Sequence, residues 1–290
     1  MKKDLSFLDI IDQYVASDKV VLPPFDKTAL RIQMEIQKKD ASISKIEKLI
    51  IADPAMSSQI LKMANSSFFR GLSKVLTVRE AIVRLGLDEI TRMAMILTQK
   101  QLYMTRDTFI KNFRNSLWQH SLVCALVSQW VAREAGFEDI TQEVFFASLM
   151  HDIGKLFLIT LIEKVNASKE IPFMPSKAVI HEIIDSQHAV QGYNLLKKWN
   201  IPDRYCQVAK EHHDEKFDTA NVPLVVLRLV NKTCHKVGVS VEKADALQHS
   251  IASEASFFGF SEIKLAQLEL QIEDSLKRIS THYKFSTPGP

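Results

Sequence analysis

Apolar positions along the chain recur at three- and four-residue spacing, and nowhere does an alternation of period two last long enough to mark a strand, so the pattern predicts helices throughout. In the first hundred residues these are short and carry explicit start signals. Ser44-x-x-Glu47 reads as a capping box ahead of an apolar run ending near Ile51, and Asp53-Pro54 as an N-cap with proline at the first helical position, its helix reaching about Asn65. Thr77-x-x-Glu80 is a second capping box, with a helix that stops at Gly86, and Asp88 is placed to cap another carrying Ile90, Ala94 and Leu97 on one side. From Ser116 the helices become longer and more apolar. One carries His120, Cys124, Val127 and Val131 at helical spacing and stops at Gly136; a second runs unbroken from about Thr141 to about Ile162; a third runs from about Ile180 to Trp199. Asn200-Ile201-Pro202-Asp203 is a stop and a restart, with helix again to His213. The two prolines of Ile171-Pro172-Phe173-Met174-Pro175 predict an irregular connection, and Glu262 to Ile279 is a final amphipathic helix before a tail, Ser286-Thr287-Pro288-Gly289-Pro290, expected to fray. There is no repeat of fixed period.

Composition narrows the class. With 290 residues, 46% hydrophobic and 24% charged, the chain has length for one large or two small domains, and 8 Gly with 9 Pro exclude collagen-like and low-complexity chains. A formal charge of +3 with no basic tract gives no reason to expect a nucleic-acid partner. Phe68-Phe69 and Phe257-Phe258 are accordingly read as core or lobe-interface residues, not as base-stacking platforms. The start Met1-Lys2-Lys3-Asp4 turns acidic without an apolar run, unlike a signal peptide, and the most apolar stretch, Val144 to Ile162, is interrupted by His151, Asp152 and Lys155, which argues against a membrane span. Cys124, Cys206 and Cys234 are odd in number and scattered, the usage of reduced thiols in the cytoplasm.

The chemistry concentrates in the second half. Asp152 lies in a segment apolar on nearly every side, where an ionised carboxylate needs a cation, a hydrogen-bond network or a wet cleft. Imidazoles from separate segments (His120, His151, His188 and the pair His212-His213) can converge on it, and imidazole with carboxylate suits divalent iron, manganese, zinc or nickel. Taken singly each has an ordinary explanation: a histidine on an apolar helical face is usually a satisfied core residue, and Lys155 can snorkel to the surface.

The ordered set is more specific. His120, His151-Asp152-Ile153-Gly154-Lys155, His188-x-x-x-Gly192 and His212-His213 resemble the HD superfamily of metal-dependent phosphohydrolases. In the other half, Leu22-Pro23-Pro24, Asp53-Pro54, Ala64-Asn65-Ser66 and Ala81-Ile82 with Leu85-Gly86, together with Trp199-Asn200-Ile201-Pro202, are similar to the HDOD domain, the HD-related output domain of bacterial signalling proteins. The resemblance spans about residues 20 to 240. It implies an all-α, two-lobed protein: an N-terminal helical lobe over 1–110 packed on an HD-like helical domain over 111–255, then a C-terminal helix and tail over 256–290. It also implies a cytoplasmic regulatory role, with signalling proteins or a small phosphate-containing ligand as partners and no membrane. By position, His120, His151 and Asp152 match the superfamily's metal-binding core, and His188, His212 and His213 match the extra histidines of its cyclic di-GMP phosphodiesterase branch. One or two divalent ions are therefore expected, with Asp152 and Lys155 as the catalytic residues if the site turns over. Two departures argue for a remnant, non-catalytic pocket. Asn231 stands where the last ligand should be Asp, and Asp214-Glu215-Lys216-Phe217 replaces the Gly-Tyr-Pro signature of the phosphodiesterase branch. The alternative expectation is a metal-dependent phosphohydrolase.

Overall fold

In the computed structural model the described residues are 7–16, 27–38, 40–66, 69, 71, 73–105, 108–168, 176–240 and 251–282. Among them are fourteen α-helices, one 3-10 turn and no strand, the all-α class that the periodicity predicts. Leu22-Pro23-Pro24, Phe68, the connection over 171–175 and the tail over 286–290 lie outside the described residues. Two compact units form: Met1–Pro23 with Asp107–Ile279, and Pro24–Arg106 with Ser280–Pro290. Helix α1 (Phe7–Ala16) belongs to the larger unit.

The smaller unit is built from α2 (Lys27–Ile36), α3 (Ile43–Ile51), α4 (Pro54–Ala64), α5 (Val78–Leu85) and α6 (Leu87–Tyr103), which bury Ile46, Ile50, Ile60, Ile82, Ile90 and Met93 among themselves. Two of its start signals work as read. Asp53 Oδ1 accepts from the Met56 N–H at 3.0 Å with Pro54 at the first helical position, and Thr77 Oγ1 accepts from the Glu80 N–H at 3.1 Å while Glu80 Oε2 accepts from the Leu76 N–H at 2.8 Å. Two do not. Helix α3 starts behind Ser42, so Ser44 lies inside it, and α6 starts behind Gly86, at φ 84°, which puts Asp88 in the first turn, where its charge faces the positive helix end without capping it. The Ala64-Asn65-Ser66 motif has a mechanical use. Asn65 Nδ2 donates to the carbonyls of Leu61 and Val75, each at 2.8 Å, and its Oδ1 accepts from the Val75 N–H at 2.9 Å, tying the end of α4 to the strand-like segment before α5.

The larger unit continues with α7 (Thr108–Glu134), which starts ahead of Ser116, a 3-10 turn (Glu138–Ile140), α8 (Thr141–Met150), α9 (Ile153–Ser168), α10 (Lys177–Lys198), α11 (Asp203–Glu211), α12 (Val222–Lys236), α13 (Ala252–Phe257) and α14 (Glu262–His282). Helix α7 packs along α8 and α12, α8 also meets α11 and α12, and α9 lies against α10. The helix expected to run unbroken from Thr141 is two, interrupted at His151-Asp152. Both halves are apolar on nearly every side, so no change of period announces the break. The stretch Glu138–Val165 has the length and hydropathy of a membrane-crossing helix, yet 94% of its most apolar window is buried inside the protein, the behaviour of a core helix pair.

The stop at Trp199-Asn200-Ile201-Pro202 is a Schellman ending: Asn200 takes φ 58°, its N–H donates to the Lys197 carbonyl at 2.9 Å, and the Ile201 N–H donates to the Leu196 carbonyl at 3.0 Å. Phe257 corrects its expected core placement, being 43% exposed.

Candidate metal centre

The break between α8 and α9 is what presents Asp152. His151 closes α8 as its C-cap, and the carboxylate of the next residue turns inward, 1% exposed. Helix α10 reaches this point because two glycines let backbones touch: a Cβ built on Gly154 would lie 1.9 Å from the His188 carbonyl oxygen and 2.6 Å from the Gly192 nitrogen. That is the physical content of the His-Asp-x-Gly-Lys and His-x-x-x-Gly spacings. His120 arrives from α7, and His212 closes α11 as its C-cap.

Four imidazoles are oriented alike. His120 Nδ1–H donates to the Val239 carbonyl at 2.8 Å, His151 to Ser148 at 2.7 Å, His188 to Ile184 at 2.9 Å and His212 to Ala209 at 2.9 Å. A carbonyl only accepts, so each ring carries a proton on Nδ1 and, in its neutral form, keeps a lone pair on Nε2. All four Nε2 atoms face Asp152: His151 at 3.4 Å and His120 at 3.7 Å from Oδ2, His212 at 3.5 Å and His188 at 3.6 Å from Oδ1. Lys155 Nζ lies 3.1 Å from Oδ2 and is 3% exposed. His213 stacks 4.0 Å from His212 between ring centroids, with its outer edge exposed.

Charge follows from this packing. Burial opposes ionisation of Asp152, but His151, Lys155 and His212 outweigh it and hold the carboxyl well below its ordinary value. Burial pushes the His151 imidazole far down, and burial together with Lys155 lowers His188 to about 4. His213 is lowered as well, chiefly by His212 and then by burial. For His120 burial works against the charged form, and the Cys124 sulfur and Asp152 beside the ring outweigh it, giving about 9.

A divalent ion fits this donor set. Beside the Lys155 ammonium, imidazole lone pairs still crowd the ionised carboxylate, and His151 Nε2 makes no hydrogen bond among the described residues although it is fully buried. Ligand atoms of His120, His151 and Asp152 form one group within 4.8 Å of one another, and those of Asp152, His188, His212 and His213 form a second that shares the carboxylate. Asn231, on α12, is 3% exposed, and its Oδ1 is without a hydrogen bond among the described residues.

Sequence reasoning missed two features. The orienting carbonyls belong to the backbone and leave no trace in residue identity. Cys124 and Cys234, read as scattered, bring their sulfurs to 3.9 Å beside His120.

The family model of the HDOD domain matches residues 22–215, two thirds of the chain. The chain belongs to the HDOD domain family. An uncharacterised protein of Treponema pallidum (strain Nichols) is 24% identical over 201 residues, 67% of this chain and only 38% of that longer relative. The fold is shared with an HDOD domain protein of unknown function from Geobacter sulfurreducens, with TM-score 0.73 and 18% identity over 95% of this chain and 98% of that one. It is shared too with a protein of Shewanella amazonensis provisionally named a metal-dependent phosphohydrolase, with TM-score 0.69 and 18% identity over 96% of this chain and 98% of that one. Within this HDOD chain the family match takes in Asp152 and the four oriented histidines, and it ends ahead of Asn231.

Proposed function

We propose that this HDOD chain is a regulatory module of bacterial, cytoplasmic signal transduction whose Asp152 centre holds a divalent ion without turning substrate over. The observation that carries the reading is the closure of the site. Asp152, His120, His151, Lys155, His188 and His212 are each at most 3% exposed, which suits an ion held by side chains, and of the grouped ligands His213 alone is exposed. Asp152 is the one carboxylate in these groups among the described residues, and Asn231, at the position that the family resemblance assigns to the last ligand, would offer only a neutral oxygen. His120, His151, His188 and His212 with Asp152 would hold the ion, iron, manganese, zinc or nickel by donor type. The partners are signalling proteins or a small phosphate-containing ligand.

A phosphohydrolase reading has one specific support, Lys155 beside Asp152 with the exposed edge of His213 on the outer side. A bound ion supplies Lewis acidity and a nucleophilic hydroxide. Lys155 would then set its positive charge against phosphate oxygens as they gain charge.

Metal analysis of the purified protein, with a phosphodiester turnover assay in added manganese or iron, separates the readings. Bound metal without turnover is expected. Turnover that disappears in Asp152→Asn overturns the non-catalytic reading, and a protein that takes up no divalent ion overturns both.

A further inference from the structure

His120 has sulfur on its other side. Cys124, one turn further along α7, and Cys234, on α12, are both fully buried, with Sγ atoms 3.9 Å apart, and Cys124 Sγ stands 3.6 Å from His120 Nε2. One ligand atom from each of the three residues lies within 4.8 Å of the other two. A tetrahedral ion with metal–sulfur bonds of about 2.3 Å and metal–nitrogen bonds of about 2.05 Å requires sulfur–sulfur edges of roughly 3.8 Å and sulfur–nitrogen edges of roughly 3.6 Å. The two separations in this pocket match those edges. His235, next to Cys234 and 4% exposed, sets its ring 5.8 Å from that of His120, so a second imidazole borders the same pocket.

We propose that Cys124, Cys234 and His120 form a second, sulfur-rich cation site, for a soft-accepting divalent ion of the zinc class. Its charge balance suits the location. On binding, each thiol S–H bond breaks, as does the Nε2–H bond of the charged His120 ring, and the protons leave to water; two thiolates with one divalent ion and a neutral imidazole then sum to no net charge, the condition under which full burial costs least. A disulfide is the poorer use of the pair. The sulfurs would have to close from 3.9 Å to about 2.05 Å. Nothing in this site depends on the function proposed for the Asp152 centre. The two do share one atom: His120 Nδ1 is committed to Val239, so its single Nε2 lone pair serves either the sulfur site or Asp152. Filling one withdraws a ligand from the other.

The test uses the full chain, reduced and freed of metal, titrated with Co2+ and then Zn2+. Wild type and Asp152→Asn are expected to develop sulfur-to-cobalt charge-transfer absorption in the near ultraviolet, bleached by zinc, that falls to background in Cys124→Ser and in Cys234→Ser. Absence of the band from reduced wild type, or its survival in both serine variants, overturns the proposal. Should a serine variant not fold, X-ray absorption of the zinc-loaded wild type decides. Two sulfur neighbours at about 2.3 Å support the site, and a shell of nitrogen and oxygen alone overturns it. Failure of the Asp152 centre has a different signature, a band that stays while no ion is lost on going to Asp152→Asn.

Discussion

His188 and His212 face each other through their Nε2 atoms at 3.4 Å, and neither nitrogen carries the hydrogen that would make the contact a bond. Both rings have spent their protons on backbone carbonyls, and both also point at the Asp152 carboxylate. An ion among these atoms binds the folded chain and not the unfolded one. Added Mn2+ or Zn2+ should therefore raise the melting temperature, by the equivalent of about 2.7 kcal/mol at a hundredfold excess over the dissociation constant. In Asp152→Asn the Mn2+-dependent rise should vanish. A shift of equal size in that variant would remove Asp152 from the centre.

Gly154→Ala should damage fold and centre together. Its methyl would sit where the His188 carbonyl oxygen is, against backbone that has no rotamer to yield, so α9 and α10 must part. A loss of about 3 kcal/mol in urea unfolding, near the upper end for overpacking, and failure to retain metal are expected. Gly192→Ala meets its nearest atom, the Gly154 nitrogen, at 3.3 Å and should cost less. Equal stability of Gly154→Ala and wild type would mean the helices are not held by this contact.

Arg228 is a structural keystone with a pH signature. Its Nε donates to Glu254 Oε1 at 3.0 Å and its Nη1 to the carbonyls of Glu211 and His212 at 3.2 and 3.1 Å, so it braces the end of α11 behind a histidine of the centre. Arg228→Met leaves the Glu211 and His212 carbonyls without this donor and Glu254 with Lys232 and Ser253, and should cost about 2 kcal/mol. For Glu254 burial raises the carboxyl, yet hydrogen bonds from Lys232 and Ser253 prevail and its folded pKa lies below the unfolded value. Its contribution to stability is thus complete above the unfolded pKa and is lost as pH falls through the folded one. Denaturation curves from pH 6 downward should show a shallower acid loss in Glu254→Gln than in wild type.

The two capping boxes read from sequence should separate under mutation. Thr77→Ala removes a cap whose hydrogen bond is present and should cost about 1 kcal/mol, whereas Ser44→Ala, inside α3, should change stability by no more than about 0.5 kcal/mol. Equal losses at the two positions would contradict the observed start of α3.

How far the sequence reached depended on whether a feature is local. The stops at Gly86 and Asn200 and the caps at Asp53 and Thr77 are decided within a few residues, and each was legible. The break at His151-Asp152 was not, since a helix apolar all round shows no face whose drift could reveal an interruption. The histidines of the centre were found through their order in a family pattern. Their tautomers rest on Ser148, Ile184, Ala209 and Val239, whose side chains take no part in those bonds. Cys124 and Cys234 stand 110 residues apart, and only the packing of α7 on α12 makes them neighbours.

The histidines that end α8 and α11 have an electrostatic consequence. The carbonyls of a helix's last turn sum to about half a negative charge, so two helices aim negative dipole ends at the place where lone pairs gather, while α9 begins at Asp152 and sets its positive end beneath the carboxylate. The backbone thus offers negative ends to a cation and a positive end to the carboxylate before any side chain is counted.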